Sequence, residues 1–180
     1  MNLPNKITIF RVIMIPFFLV FLLMPEIPYN RAIAAGIFII AALSDLADGY
    51  IARKYKLITN FGKFMDPLAD KLLVSSALIC FVELKQLAAW IVIVIISREF
   101  IISGFRLIAS DKGIVIAAGW WGKIKTNVQM IMSVMLIVDL NYGWMNVLEQ
   151  IAIYLSVILT IISLVDYMIK NKNVLSEKTI

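Results

Sequence analysis

No histidine occurs anywhere in this 180-residue chain. The commonest general base is therefore missing, and proton transfer falls to a carboxylate, or else to Lys or Tyr. Cysteine occurs once, as Cys80 in the apolar run LVSSALICF. A single thiol forms no intramolecular disulfide, and without histidine it builds no Cys/His metal site. Charge is scarce too: 16% of residues are charged and 62% hydrophobic. A soluble domain is nearer a quarter charged and half apolar. A soluble fold of this size lacks the interior volume to hide so much apolar surface, so lipid must be the solvent for much of it. The composition predicts an all-α integral membrane protein.

The charge that is present leans positive, with a net value of +5. In a membrane protein such an excess reads as topology signal and contact with anionic lipids, and no nucleic-acid partner is expected. The N-terminal MNLPNK with its apolar continuation has the outline of a secretion signal. Arg11 interrupts that continuation, however, and no A-x-A-like cleavage site precedes Pro25. A retained first helix is expected.

A membrane span needs about 20 mostly apolar residues. Six segments qualify: about 7–24, 30–45, 64 or 67 to 81, 86–110, 121–140 and 145–169. Their short connections make neighbouring helices antiparallel. No linker or soluble domain interrupts them, so residues 1–180 read as one membrane domain. Lys6, Arg11, Arg53, Lys54, Lys56, Lys63, Arg98, Arg106, Lys112, Lys123, Lys125, Lys170, Lys172 and Lys178 fall on one side. Only Arg31 and Lys85 fall on the other, and Lys71 lies inside a span. The positive-inside rule makes the first side cytoplasmic, with both termini there. Six transmembrane helices satisfy that parity.

Against this background the stretch 45–70, DLADGYIARKYKLITNFGKFMDPLAD, is anomalous. It carries Asp45 and Asp48 three apart, and Asp66 and Asp70 four apart. Both spacings place a pair on one helix face. The stretch spans the cytoplasmic ends of the second and third helices, which can bring all four carboxylates together. Such a group repels itself at low dielectric and needs cations. Hard oxygen ligands in this number suit Mg2+, Mn2+ or Ca2+, and two ions can share bridging carboxylates. A proton or cation pathway is the competing use of intramembrane acids. A lone Asp near a helix end is more often a cap, and Asp66 before Pro67 has the form of an N-cap with Pro at the first helical position. Gly49 and Gly62 suggest close approach of a ligand or helix, and Ala52 extends the small-residue face. Arg53 has phosphate as its best-matched partner, with snorkelling to lipid headgroups as the plainer alternative.

Written as spacing, the stretch is D-x2-D-G-x2-A-R-x8-G-x3-D-x3-D. It resembles the signature of the CDP-alcohol phosphotransferase family at every fixed position. The resemblance implies an integral membrane enzyme of six helices, usually a homodimer, that moves a phosphatidyl or related group from a CDP-linked donor to an alcohol and releases CMP. It implies that Asp45, Asp48 and Asp66 hold divalent metal, Mg2+ or Mn2+, on the donor pyrophosphate. Asp70 joins the metal site and is the implied general base. Gly49, Ala52, Arg53 and Gly62 match CDP-binding positions.

Three further stretches bear on the acceptor. NLPNKITIFRV carries Asn5, Thr8 and Arg11 at helical spacing, SREFIISGFRLIAS holds Arg98, Glu99 and Arg106, and GWWGKIKTNVQM holds Lys123 and Lys125. Each has a plainer reading: a capped first helix, an Arg98–Glu99 pair, and topology charge beside an aromatic belt. Four cations on the side of the Asp group nonetheless exceed what a neutral alcohol needs, and favour a phosphorylated acceptor. These stretches resemble the phosphatidylglycerophosphate synthase branch of the family. That implies CDP-diacylglycerol and sn-glycerol 3-phosphate as substrates, at a cytoplasmic-facing site of a multi-pass protein in the cell membrane. Arg98, Arg106, Lys123 and Lys125 become acceptor-phosphate candidates, and Asn5 and Thr8 candidates for the cytidine or pyrophosphate. Inositol phosphate, serine or phosphatidylglycerol as acceptor, and a small divalent-cation transporter, are the alternatives.

Overall fold

The computed structural model describes residues 2–55, 60–111, 113, 114, 116, 119–140 and 142–172, without the side chains of Leu46, Ala47, Asp48, Tyr50, Ala52, Arg53, Asn60, Phe61, Lys63, Phe64 and Pro67. Among these residues the regular elements are six α-helices and no strand: α1 (Leu3–Leu23), α2 (Asn30–Lys54), α3 (Asn60–Glu83), α4 (Ala89–Asp111), α5 (Trp120–Val138) and α6 (Gly143–Lys170). Each corresponds to one expected segment. The differences lie at the ends. α1 starts earlier than expected because Pro4 sits in its first turn, where a missing N–H leaves no bond unmade. α2 runs on past Asp45 to Lys54, so Gly49, Ala52 and Arg53 share one helix with it. α3 starts at Asn60 rather than at 64 or 67. Asp66 is therefore not an N-cap, which corrects that expectation. The amides a cap would bind already lie within the helix, and Pro67 is an interior residue that withholds one backbone bond.

The chain divides into two compact units, Met1–Leu87 with Ser133–Leu140, and Ala88–Met132 with Asn141–Ile180. In the first, α1 packs against α2 and α3. Its core sets Phe18, Leu22 and Phe38 among fully buried Ala34, Ala41 and Ala77, with the Phe18 and Phe38 rings 5.6 Å apart. Alanines there let the helix backbones approach closely, as in membrane packing. The last turn of α5 is closed within this unit. Arg31 donates to the carbonyls of Leu136 (3.3 Å) and Ile137 (3.4 Å) and pairs with Asp139 at 3.1 Å. Gln86 Nε2 donates to the Leu136 carbonyl at 3.0 Å. A cation and an amide thus meet carbonyls that a helix end leaves without partners.

In the second unit α4 packs on α6, around Ile102, Phe105, Ala109 and Tyr167. The buried face of α6 carries Glu149, Ser156, Thr160 and Ser163, while Ile151, Tyr154, Ile158, Ile161 and Val165 are exposed. α1 repeats the pattern: Asn5, Thr8 and Arg11 are buried, whereas Phe10, Ile13, Phe17 and Val20 are exposed. Buried faces of mixed polar and apolar residues, set against outer faces this apolar, depart from the pattern of a helix on a water-soluble protein. α1 and α6 are also long and apolar enough to cross a membrane.

Candidate active site

Two side-chain constellations answer to the sequence expectations, one in each unit. The first is organised by α1. Asn5, Thr8 and Arg11 recur every three residues, so they share the face of α1 that is turned inward, and all three are buried. Arg11 Nη1 donates to Asp45 Oδ1 of α2 at 2.6 Å. Thr8 Oγ1 donates to Asp66 Oδ1 of α3 at 2.6 Å and also lies 3.1 Å from the Pro4 carbonyl. A hydroxyl has one proton, and the shorter, charge-assisted contact with the carboxylate takes it. Adjacent turns of one helix thus tether a carboxylate from each of two other helices.

Both tethers use Oδ1. The Oδ2 atoms of Asp45 and Asp66 have no partner among the described residues. Asp45 is 35% exposed while the Arg11 guanidinium is fully buried, so the carboxylate forms the open edge of the pair. Asp70 lies one turn beyond Asp66 and is half-buried. Gly62 is buried one turn before Asp66, and Gly49 is half-buried one turn after Asp45. Asp48, Ala52 and Arg53 belong to α2, but their side chains lie outside the described residues. Among the described residues no three carboxylates stand together as a metal-binding group. The two Oδ2 atoms are nonetheless hard oxygen donors of the kind a divalent cation takes.

The Arg11–Asp45 pair has a consequence for stability. Removing one partner of a fully buried ion pair costs about 3–5 kcal/mol, and the 35% exposure of Asp45 together with the further contacts of Arg11 puts its loss below that range. Asp45→Ala is expected to lower the thermal midpoint of the detergent-solubilised protein by several degrees, with partial recovery in the Arg11→Leu/Asp45→Ala double variant. An unshifted midpoint in Asp45→Ala rules the pair out as a support of the fold.

The second constellation joins α4, α5 and α6. Arg98 Nη1 donates to Glu99 Oε1 at 2.9 Å, and Arg98 Nη2 donates to Ser163 Oγ at 2.5 Å. Lys125 Nζ donates to the same Glu99 oxygen at 2.5 Å. The side chains of Arg98 and Lys125 are 9% and 2% exposed. The expected Arg98–Glu99 pair is therefore present, yet Glu99 is shared with a second cation.

The other two acceptor candidates are placed differently. Lys123 is exposed, because two residues along a helix point to nearly opposite faces. Arg106 is also exposed, and its guanidinium lies 5.9 Å from the Tyr167 ring centre. It stands eight residues from Arg98, about 12 Å along the helix axis. Sequence reasoning missed Ser163 and the bridging role of Glu99. The signal for Ser163 was the row Ser156, Thr160 and Ser163, which puts hydroxyls on one face of an otherwise apolar helix.

The family model for CDP-alcohol phosphatidyltransferase matches residues 1–162. A Bacillus subtilis protein named CDP-diacylglycerol–glycerol-3-phosphate 3-phosphatidyltransferase is 45% identical over 183 residues, covering 94% of this chain and 95% of its own. A Haemophilus influenzae protein of the same name is 44% identical over 172 residues, covering 93% of this chain and 91% of its own.

Proposed function

We propose that this chain, which belongs to the CDP-alcohol phosphatidyltransferase family, transfers the phosphatidyl group of CDP-diacylglycerol to sn-glycerol 3-phosphate. The products are phosphatidylglycerophosphate and CMP. The geometric observation that carries this reading is the tethering of Asp45 and Asp66 to Arg11 and Thr8, which gathers signature carboxylates of α2 and α3 at one helix. The acceptor is supported by the names of the two relatives and by the buried cations Arg98 and Lys125 that share Glu99.

In this proposal Asp45, Asp48, Asp66 and Asp70 hold Mg2+ or Mn2+, as two ions. Bound by these carboxylates, a divalent cation would neutralise the donor pyrophosphate and polarise its phosphorus. Asn5, Thr8, Gly49, Ala52, Arg53 and Gly62 receive the CDP moiety. Asp70 takes the proton of the acceptor hydroxyl, whose oxygen attacks the phosphorus that bears the diacylglycerol. A new P–O bond forms there, and the P–O bond to CMP breaks. Histidine is absent and no residue stands out as a covalent nucleophile, so the displacement is direct. Arg98 and Lys125 hold the acceptor phosphate, with Arg106 and Lys123 as outer cations that draw it in. The six helices each span the membrane, both termini and the site face the cytoplasm, and the enzyme works as a homodimer in the cell membrane. The Lys/Arg distribution supports the orientation, and the family resemblance supports the dimer.

The test is a panel of acceptors. Purified protein is given CDP-diacylglycerol and Mg2+ with glycerol 3-phosphate, inositol phosphate, serine or phosphatidylglycerol, and CMP is measured. Release is expected with glycerol 3-phosphate, at least tenfold faster than with any other. Faster release with another alcohol reassigns the acceptor.

A further inference from the structure

Three helices of the second unit meet at the Arg98 guanidinium. Glu99 accepts from Nη1 at 2.9 Å, and Ser163 of α6 accepts from Nη2 at 2.5 Å. The Nε–H is buried and has no acceptor among the described residues. A buried cation left short of an acceptor is costly, and such groups in native structures call for a functional reason. α5 closes on the same point at Gly122. A Cβ there would lie 3.2 Å from Arg98 Nη2 and 3.6 Å from Ser163 Oγ. A side chain at 122 would therefore press on the Arg98 Nη2 and displace it by a few tenths of an ångström.

Ser163 uses its hydroxyl differently from its neighbour on the helix. Thr160, one turn away, donates to the carbonyl of Ser156 four residues back, as buried helix hydroxyls commonly do. The Ser163 oxygen instead faces another helix and a charged group. A guanidinium presents its donors in a rigid plane, so fixing two of its nitrogens fixes the direction of the rest.

We propose that Ser163 and Gly122 are positioning residues that set the plane of Arg98, so that Arg98 and Lys125 meet the phosphate of the acceptor. The inference rests on the assignment of Arg98 and Lys125 to that phosphate. It adds two residues, from two further helices, whose effect is felt only through Arg98. Without the Ser163 oxygen the guanidinium swings on its remaining Glu99 contact. With a methyl at 122, Nη2 is crowded and the guanidinium plane tilts.

Steady-state kinetics on the full-length protein in mixed micelles tests this, with each substrate varied in turn. Ser163→Ala is expected to raise the KM for glycerol 3-phosphate about 5–10-fold, while kcat and the KM for CDP-diacylglycerol stay within twofold. Ser163→Thr, which keeps the oxygen, is expected to recover most of the loss. Gly122→Ala is expected to move the same constant in the same direction, and it carries the test should Ser163→Ala fail to fold. An unmoved acceptor KM, equal changes for both substrates, or a Thr variant no better than Ala overturns the inference while the acceptor assignment stands. A wild-type protein that releases no CMP with glycerol 3-phosphate overturns that assignment, and this inference with it.

Discussion

Asp70→Asn is expected to lower kcat by about 10²–10⁴-fold, the usual contribution of a positioned general base, while CDP-diacylglycerol still binds. The side chain keeps its shape and its place one turn beyond Asp66 on α3. It loses the carboxylate whose basicity takes the acceptor proton. No histidine exists to replace it, so no imidazole can rescue the step. The proposed function makes Asp70 serve both proton transfer and metal, so the two roles must be separated. Titrating Mg2+ against Asp70→Asn and against Asp66→Asn does so. Asp66→Asn is expected to raise the Mg2+ concentration needed for half-maximal activity, whereas Asp70→Asn remains slow at saturating metal. Near-normal turnover in Asp70→Asn means the base lies elsewhere.

Lys125→Met is expected to raise the KM for glycerol 3-phosphate about 10–100-fold, since a hydrogen bond from a charged group contributes about 1.5–3 kcal/mol. The KM for CDP-diacylglycerol is expected to change little. Methionine fills nearly the same volume in a position only 2% exposed, so packing is preserved. Lys123→Ala supplies the contrast. Its side chain is exposed, and its loss is expected to change the acceptor KM less than threefold. Equal effects of the two substitutions indicate that position 125 acts through the general field of the cationic face rather than by contact.

Much of this architecture was legible in the sequence because lipid leaves so few options. Apolar runs of helical length mark all six helices, and two of them, α1 and α6, are long and apolar enough to cross a membrane. The signature stretch was legible for a different reason. Carboxylates at helical spacing in an apolar chain are costly enough to announce themselves, as with Asp45 and Asp66. What the sequence could not show was which donors from elsewhere would meet them. Thr8 and Arg11 were visible as a helical face, but their pairing with Asp66 and Asp45 depends on how α1 packs. The start of α3 is less legible, because Pro67 is a strong local signal for a helix start yet the helix begins at Asn60. Positive charge alone groups the four acceptor candidates in the sequence. Helix geometry then separated Lys125 from Lys123, and only a contact between distant helices could connect Arg98 to Ser163. The alternative of a cation transporter gains nothing from the family match or from the names of the relatives.

The transfer itself is best followed by label. Wild-type protein is incubated with CDP-diacylglycerol, Mg2+ and radiolabelled glycerol 3-phosphate, and both the organic phase and CMP are quantified. One label is expected in lipid for every CMP released, with both signals lost when the metal is chelated. CMP without label in lipid would instead mark hydrolysis of the donor, and absence of both would remove the phosphatidyl transfer proposed for this chain.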